Sequence, residues 1–165
     1  MMRKLIGVAI LVCMVSMLGF AQETPKPEVY AGYQFARFSN NGVSSNANGW
    51  NSAANFYLTR WFGATGDFSG VYSNGASLYT YTFGPTVSTH KQGVSPFAHA
   101  LFGGAHAGAA GFGINGMAMM FGGGMDLGKQ KLAFRAVQFD WLMLHSSGVT
   151  LKDNVRITTG LMYRF

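Results

Sequence analysis

The chain has 165 residues, room for one domain. Only 11% of them are charged against 15% aromatic, with 23 glycines. That is too apolar for a disordered segment and too poor in charge for an ordinary soluble domain, which carries roughly 25%. The net charge of +6 is scattered, two of its charges being Arg3 and Lys4 and the only cluster Lys129 with Lys131. Nucleic acid, which needs a concentrated basic face, is therefore excluded as a partner.

Arg3 and Lys4 precede an apolar run over 5–20, and Gly19 and Ala21 put small residues just before a cut after Ala21. A charged start, a short apolar core and a small-x-small exit predict a cleaved secretory signal peptide over 1–21. The run is short for a spanning helix of about 20 residues. Cys13 is the only cysteine, and Val12 before it is not the small residue a lipid-attachment cysteine needs. Cleavage would remove it and with it any disulfide or thiol chemistry. Residues 22–27 read as a polar, proline-bearing lead-in in the periplasm, and 28–165 as the mature domain.

From residue 28 onward the hydrophobic pattern has a period of two, the mark of strands with one apolar and one polar face. The first strand, 28–38, sets Val29, Ala31, Tyr33 and Phe35 against Glu28, Tyr30, Gly32 and Gln34. A polar loop is expected over 39–49. The second strand, 50–59, sets Trp50, Ala54, Phe56 and Leu58 against Asn51, Asn55 and Tyr57. After a turn near Arg60 the third sets Phe62, Ala64, Phe68 and Tyr72 against Thr65, Asp67 and Ser69, with a loop over 73–77. The fourth, 78–88, alternates most regularly: Tyr79, Tyr81, Phe83, Pro85 and Val87 oppose Thr80, Thr82, Gly84, Thr86 and Ser88.

A turn over 89–95 leads to a fifth strand, 96–106, with both faces apolar or small. A glycine- and alanine-rich loop is expected over 107–116. The sixth strand sets Met117, Met119, Phe121 and Met125 against Ala118, Met120, Gly122, Gly124 and Asp126, before a turn over 128–131. The seventh, 132–144, sets Val137, Phe139, Trp141 and Met143 against Gln138 and Asp140, with a last loop over 145–153. The final stretch, 154–165, sets Val155, Ile157, Thr159, Leu161, Tyr163 and Phe165 against Asn154, Arg156, Thr158, Gly160, Met162 and Arg164.

Eight strands of about ten residues match the length a tilted strand needs to cross a bilayer. Backbone groups in lipid must all be paired, so such strands must close into a ring. The expected fold class is an all-β, eight-stranded, antiparallel up-and-down transmembrane β-barrel. An even strand count returns both termini to the periplasm and puts the connections after odd strands outside the cell. Outward aromatics near strand ends suit interfacial girdles: Trp50, Tyr72, Tyr79 and Trp141 above, Phe62, Phe83, Tyr163 and Phe165 below. A soluble, lipocalin-like barrel with the apolar row inside has the same periodicity and stays open as an alternative.

The mature chain resembles the outer-membrane protein A-like β-barrel family, and within it the small eight-stranded members. The resemblance rests on V-Y-A-G-Y-Q-F in the first strand, G-D-F-S-G from Gly66, F-G-P from Phe83, F-G-G-G-M-D from Phe121 and the terminal Y-R-F. It implies a small protein of the Gram-negative outer membrane, embedded in its lipid and handed to the barrel assembly machinery through the C-terminal strand. It implies a non-enzymatic role in membrane integrity or surface interaction, with no cofactor and no defined surface partner. The family's larger members add a peptidoglycan-binding domain, for which nothing remains after Phe165.

The interior of an eight-stranded barrel is filled by side chains, and inward charges there need partners. Register places Asp140 near Arg156 across the last hairpin, and closure places Glu28 near Arg164. These are expected to be structural ion pairs, with a narrow small-solute channel as the alternative use of the same residues. Gly111-Phe-Gly-Ile-Asn-Gly116 has the spacing of a dinucleotide loop, but no helix follows and no acid lies at the right distance. His90, His99, His106 and His145 lack metal-ligand spacing and are expected at the rim or in the lumen. His145 and Ser147, with Asp153 following, are similar to the His-x-Ser of outer-membrane lipid A deacylases, also eight-stranded. Those enzymes carry Asn after the Ser and a later Glu, where this chain has Gly148 and Asp153.

Overall fold

The computed structural model describes residues 26–40, 43–73, 75–89, 93–109, 111–128, 131–146 and 148–165. The signal peptide expected over 1–21 and most of the lead-in lie outside the described residues. The strands are β1 (Glu28–Asn40), β2 (Val43–Tyr57), β3 (Phe62–Ser73), β4 (Ala76–Ser88), β5 (Gly93–Ala109), β6 (Phe112–Gly128), β7 (Leu132–Ser146) and β8 (Val149–Arg164). Each pairs antiparallel with its chain neighbours, and β1 pairs with β8 from Glu28↔Arg164 to Arg37↔Val155, so the sheet closes on itself. Every strand edge is thereby paired, and no long edge is left to recruit another chain.

Alternation decides which row faces where. Val29, Tyr33, Phe68, Tyr81, Phe83, Phe139 and Leu161 stand exposed on the outer surface, while Glu28, Gln34, Asn51, Asp67, Thr80, Gln138 and Thr158 are buried inside. A row of aromatics outside and of amides, hydroxyls and charges inside is the reverse of a water-soluble barrel. The lipocalin-like arrangement, with the apolar row inward, is therefore ruled out.

Three stretches expected as loops are strand instead. Most of 39–49 belongs to the β1–β2 ladder, most of 107–116 to β5–β6, and 145–153 largely to β7–β8. The connections after β1, β3, β5 and β7 shrink to two residues each. Asn, Ser, Gly and Ala have low strand propensity, but cross-strand pairing overrides propensity once a hairpin is nucleated. The described glycines of three of these turns, Gly75, Gly111 and Gly148, have φ of 79°, 84° and 81°. Such left-handed backbone is what two-residue hairpins need and what glycine supplies. This end of the barrel is called the hairpin end; the other holds the first and last strand residues and is called the terminal end.

Strands of 12 to 17 residues exceed the roughly 9–11 that a tilted strand needs to cross hydrocarbon. The excess lies toward the hairpin end. Beyond the pair Tyr33↔Trp50, seven further residues of each strand continue to Asn40↔Val43, about 20 Å along the strand. In β7 an extra residue breaks the alternation: Arg135 pairs Gly160 while Gln138 pairs Thr158. This bulge turns Arg135 inward although strict alternation from Gln138 would turn it out.

Candidate functional site

Among the described residues the lumen is where the fold gathers charged and polar side chains, and it is layered. At the terminal end, Arg164 on β8 donates from Nε to Glu28 Oε1 on β1 at 2.7 Å, across the seam that closes the barrel. Glu28 also accepts from Asn55 Nδ2 and Tyr57 Oη, each at 3.1 Å, and Arg164 donates from Nη1 to the Gly128 carbonyl at 3.1 Å. The seam pair is thus tied to β2 and to the end of β6 as well.

A larger network fills the middle. Arg156, on β8 and fully buried, donates from Nε to Asp140 Oδ2 at 2.8 Å and from Nη1 and Nη2 to Asp67 Oδ1 and Oδ2 at 2.7 and 3.0 Å. One guanidinium therefore clamps carboxylates from β7 and from β3, on opposite sides of the lumen, the second of them as a parallel two-point fork. Asp140 also meets His99 Nε2 at 2.7 Å and accepts from Gln138 Nε2 at 2.7 Å. Gln138 Oε1 accepts from Arg135 Nη1 at 2.5 Å, and Arg135 holds Asp126 through Nε and Nη2 at 2.7 and 3.1 Å. Arg135 is stacked between the rings of Tyr30 and Phe97, 4.4 and 4.1 Å from their centroids. Asn51 completes the shell of Asp67 at 2.9 Å.

Asp140 and Arg156 thus face each other, as do Glu28 and Arg164, but neither couple stands alone. Asp140 and Arg156 belong to a continuous chain from Asp126 to Asp67 that draws residues from β2, β3, β5, β6, β7 and β8. The sequence reading placed Asp67 and Asp126 inside without partners, and it missed Arg135 because the bulge was not read. A signal for the bulge existed: Phe134 and Phe139 both face outward yet are five residues apart, which no unbroken two-residue period allows.

Toward the hairpin end the lumen turns apolar. Leu101, Met120 and Leu142 are buried in contact with Ala105 and Ala118, and Phe38, Leu78 and Leu144 pack on them. This layer starts one inward position beyond Asp140, since Gly122 pairs Asp140 and Met120 pairs Leu142. The inward row read for the sixth strand already held Ala118 and Met120, whereas the fifth carries apolar or small residues on both faces, so alternation could not place Leu101 or Ala105.

On the outer surface the aromatics form a partial band. Trp50 Nε1 donates to Tyr72 Oη at 3.4 Å, Tyr72 Oη lies 3.1 Å from Tyr79 Oη, and Trp50 meets Phe68 edge-on at 5.2 Å. Trp141 donates from Nε1 to the Lys152 carbonyl across the β7–β8 hairpin. At the terminal end Tyr163 and Phe165 pack edge-on at 5.1 Å, and exposed Trp61 meets Phe62 at 5.9 Å. Phe83, expected in the lower girdle, stands mid-wall between Gly66 and Phe102, four residues along β4 from the Phe62↔Val87 pair.

Of the histidines, His99 is in the lumen, His106 sits at the rim 2.7 Å from Asn115 Oδ1, and His90 lies outside the described residues. His145 is exposed, and its Nδ1 is 2.7 Å from Thr150 Oγ1. That nitrogen is the one an orienting acid takes in a His-activated serine triad. Ser147 lies outside the described residues. Among the described residues no group of three His, Cys, Asp or Glu side chains could hold a metal ion.

A closed, eight-stranded meander with aromatics outside and an ion-filled interior is the fold of the small outer-membrane barrels of the outer-membrane protein A type. Solved structures bear this out. Neisserial surface protein A superposes with a TM-score of 0.64 at 12% identity, over 84% of this chain and 97% of that one. Ail, the attachment invasion locus protein of Yersinia pestis, gives 0.57 at 17% identity, over 86% and 99%. The N-terminal β-barrel domain of Pseudomonas aeruginosa OprF gives 0.59 at 10% identity, over 87% and 100%. No protein-family model matches the chain. No curated protein matches it either.

Proposed function

We propose that the protein is a small integral barrel of the outer membrane that serves membrane integrity and surface interaction, without catalysis and without conducting solutes. The observation that carries this reading is the inverted arrangement of faces. The outer surface of the ring is apolar and aromatic, and the interior is closed by the Asp126–Arg135–Asp140–Arg156–Asp67 network. Such an outer surface is stable against hydrocarbon and exposed to aggregation in water. In this reading the first 21 residues export the chain, and the C-terminal strand engages the barrel assembly machinery. Trp50 and Trp141 mark the outer membrane interface, Tyr163 and Phe165 the inner one, and the hairpin end projects from the cell. The surface role is supported by the 20 Å extension of β1 and β2 and by the likeness in fold to proteins described as a surface protein and an attachment protein.

The test combines three measurements on the mature chain refolded in detergent and bilayers. A barrel should migrate differently on gels before and after boiling. In intact cells, protease should nick only the hairpin end. Planar bilayers containing it should show no unitary conductance. Steady conductance, or altered lipid A acylation that is lost in Ser147→Ala, would replace this reading by the channel or the deacylase respectively.

A further inference from the structure

The apolar layer near the hairpin end does not fill the barrel to its mouth. Above Leu101, Met120 and Leu142 the interior opens into a cup of about 510 Å³, walled by Phe38, Ala47, Val71, Leu78, Ala107 and Leu144 among others. That size falls within the roughly 300–1,000 Å³ of small-molecule sites. None of its lining residues is charged. A side recess of about 150 Å³ between β6 and the β7–β8 hairpin shares Leu78, Ala107 and Leu144 with it. Small side chains make the space: Ala47, Ala76, Ala107 and Ala109 line the cup where bulkier inward residues would fill it.

We propose that this cup binds one uncharged, single-chain amphiphile that arrives from the aqueous side, its alkyl chain against the apolar walls and a hydroxyl head at the rim. Three observations select this occupant. The walls are apolar apart from Ser45, Ser73 and Ser77, and uncharged, so a charged ligand would lose its hydration without a partner. The hydroxyls of Ser73 on the cup and Ser146 on the side recess already donate to the carbonyls of Asn46 and Asn115, at 2.8 and 2.9 Å. Their lone pairs are left to accept from a ligand O–H. On the side of β4, β5 and β6 the walls are strand ladders, with β4–β5 paired from Ala76↔Ala109 downward and β5–β6 over all seventeen residues, whereas the β2–β3 ladder begins only at Asn48↔Tyr72. A bilayer lipid has no sideways entry between those strands, whereas the mouth is open. A floor of Leu101, Met120 and Leu142 stops the chain above the charged network, so the site binds without passing its ligand through.

The probe is 1-dodecanol, titrated into the mature protein in lipid nanodiscs with labelled Ile and Leu methyl groups. Leu78, Ile114 and Leu144 report the cup, and outward-facing Leu132 and Leu161 report partition into the bilayer. The expected result is saturable shifts confined to the cup methyls, with cross-relaxation between the dodecanol chain and Leu144. Ala107→Phe, which fills the cup, should weaken that binding at least tenfold. Ala47→Leu, from the opposite wall, serves the same purpose should the first variant fail to fold, and the cross-relaxation is read on the unaltered chain. Shifts that grow linearly and equally at Leu132 and Leu161, saturable binding indifferent to both variants, or cup contacts made by a second copy would overturn the proposal.

Discussion

At the scale of single residues, the lumen network ranks its own members. Arg156 is fully buried and holds two carboxylates, Asp67 and Asp140. Arg156→Met strands both, and breaking a buried pair by removing one partner costs about 3–5 kcal/mol. Asp140→Asn keeps the shape and leaves Arg156 its fork with Asp67, so it should cost less. Urea unfolding in lipid vesicles should place the two variants in that order. The double variant should depart from additivity by about 0.5–3 kcal/mol, although Asp67 stays unpaired and full rescue is not expected. Glycine supplies the space for this network at one position. A Cβ on Gly122 would lie 2.2 Å from both Asp140 Oδ1 and the Phe139 carbonyl, whereas one on Gly66 meets nothing within 4 Å. Gly122→Ala should therefore lower the unfolding midpoint clearly and Gly66→Ala should leave it within error, a contrast that tests packing apart from propensity.

At the scale of elements, legibility followed alternation. Over most of β1, β4 and β8 large apolar and polar residues take turns, with Tyr30, Phe38 and Met162 among the inward exceptions, so their faces could be assigned residue by residue. Asp140 and Arg156 sit across one tight hairpin, and Glu28 and Arg164 across the closing seam, so both juxtapositions lay within reach of register alone. Asp67 reaches Arg156 across the lumen from 89 positions away in sequence, and no local pattern carries that. The hairpin tips were misread for a different reason. Asn, Ser, Gly and Ala are turn and loop residues by propensity, and only pairing on both sides makes them strand. The bulge in β7 is the third gap, and it can be tested. Deleting Ala136 removes the one extra residue and restores strict alternation, with Phe134 and Val137 still outward and Arg135 still stacked between Tyr30 and Phe97. The deletion variant should therefore refold into vesicles with a yield of the heat-modifiable form close to that of the unaltered chain, and a marked loss would show that the bulge itself aims Arg135. Arg135→Leu should lower that yield, because it leaves buried Asp126 without its cation.

At the scale of the whole molecule, the barrel is stoppered twice, and the two stoppers differ in kind. The charged network closes the middle by filling it with paired side chains. Leu101, Met120 and Leu142 close the next layer toward the hairpin end with apolar surface, which resists a water column even where a gap exists. Barriers in series mean that removing either one leaves the other. Replacing Asp140, Arg156 and Gln138 together by serine should hollow the middle yet yield no unitary conductance in planar bilayers. Replacing Leu101, Met120 and Leu142 by glycine or serine should likewise yield none while the ion network holds. Only the combined variant should conduct, in small steps and with selectivity for cations, because Asp67 and Asp126 then face the opened path with one arginine, Arg135, between them. Conductance from either half-set alone would show that a single layer seals the lumen.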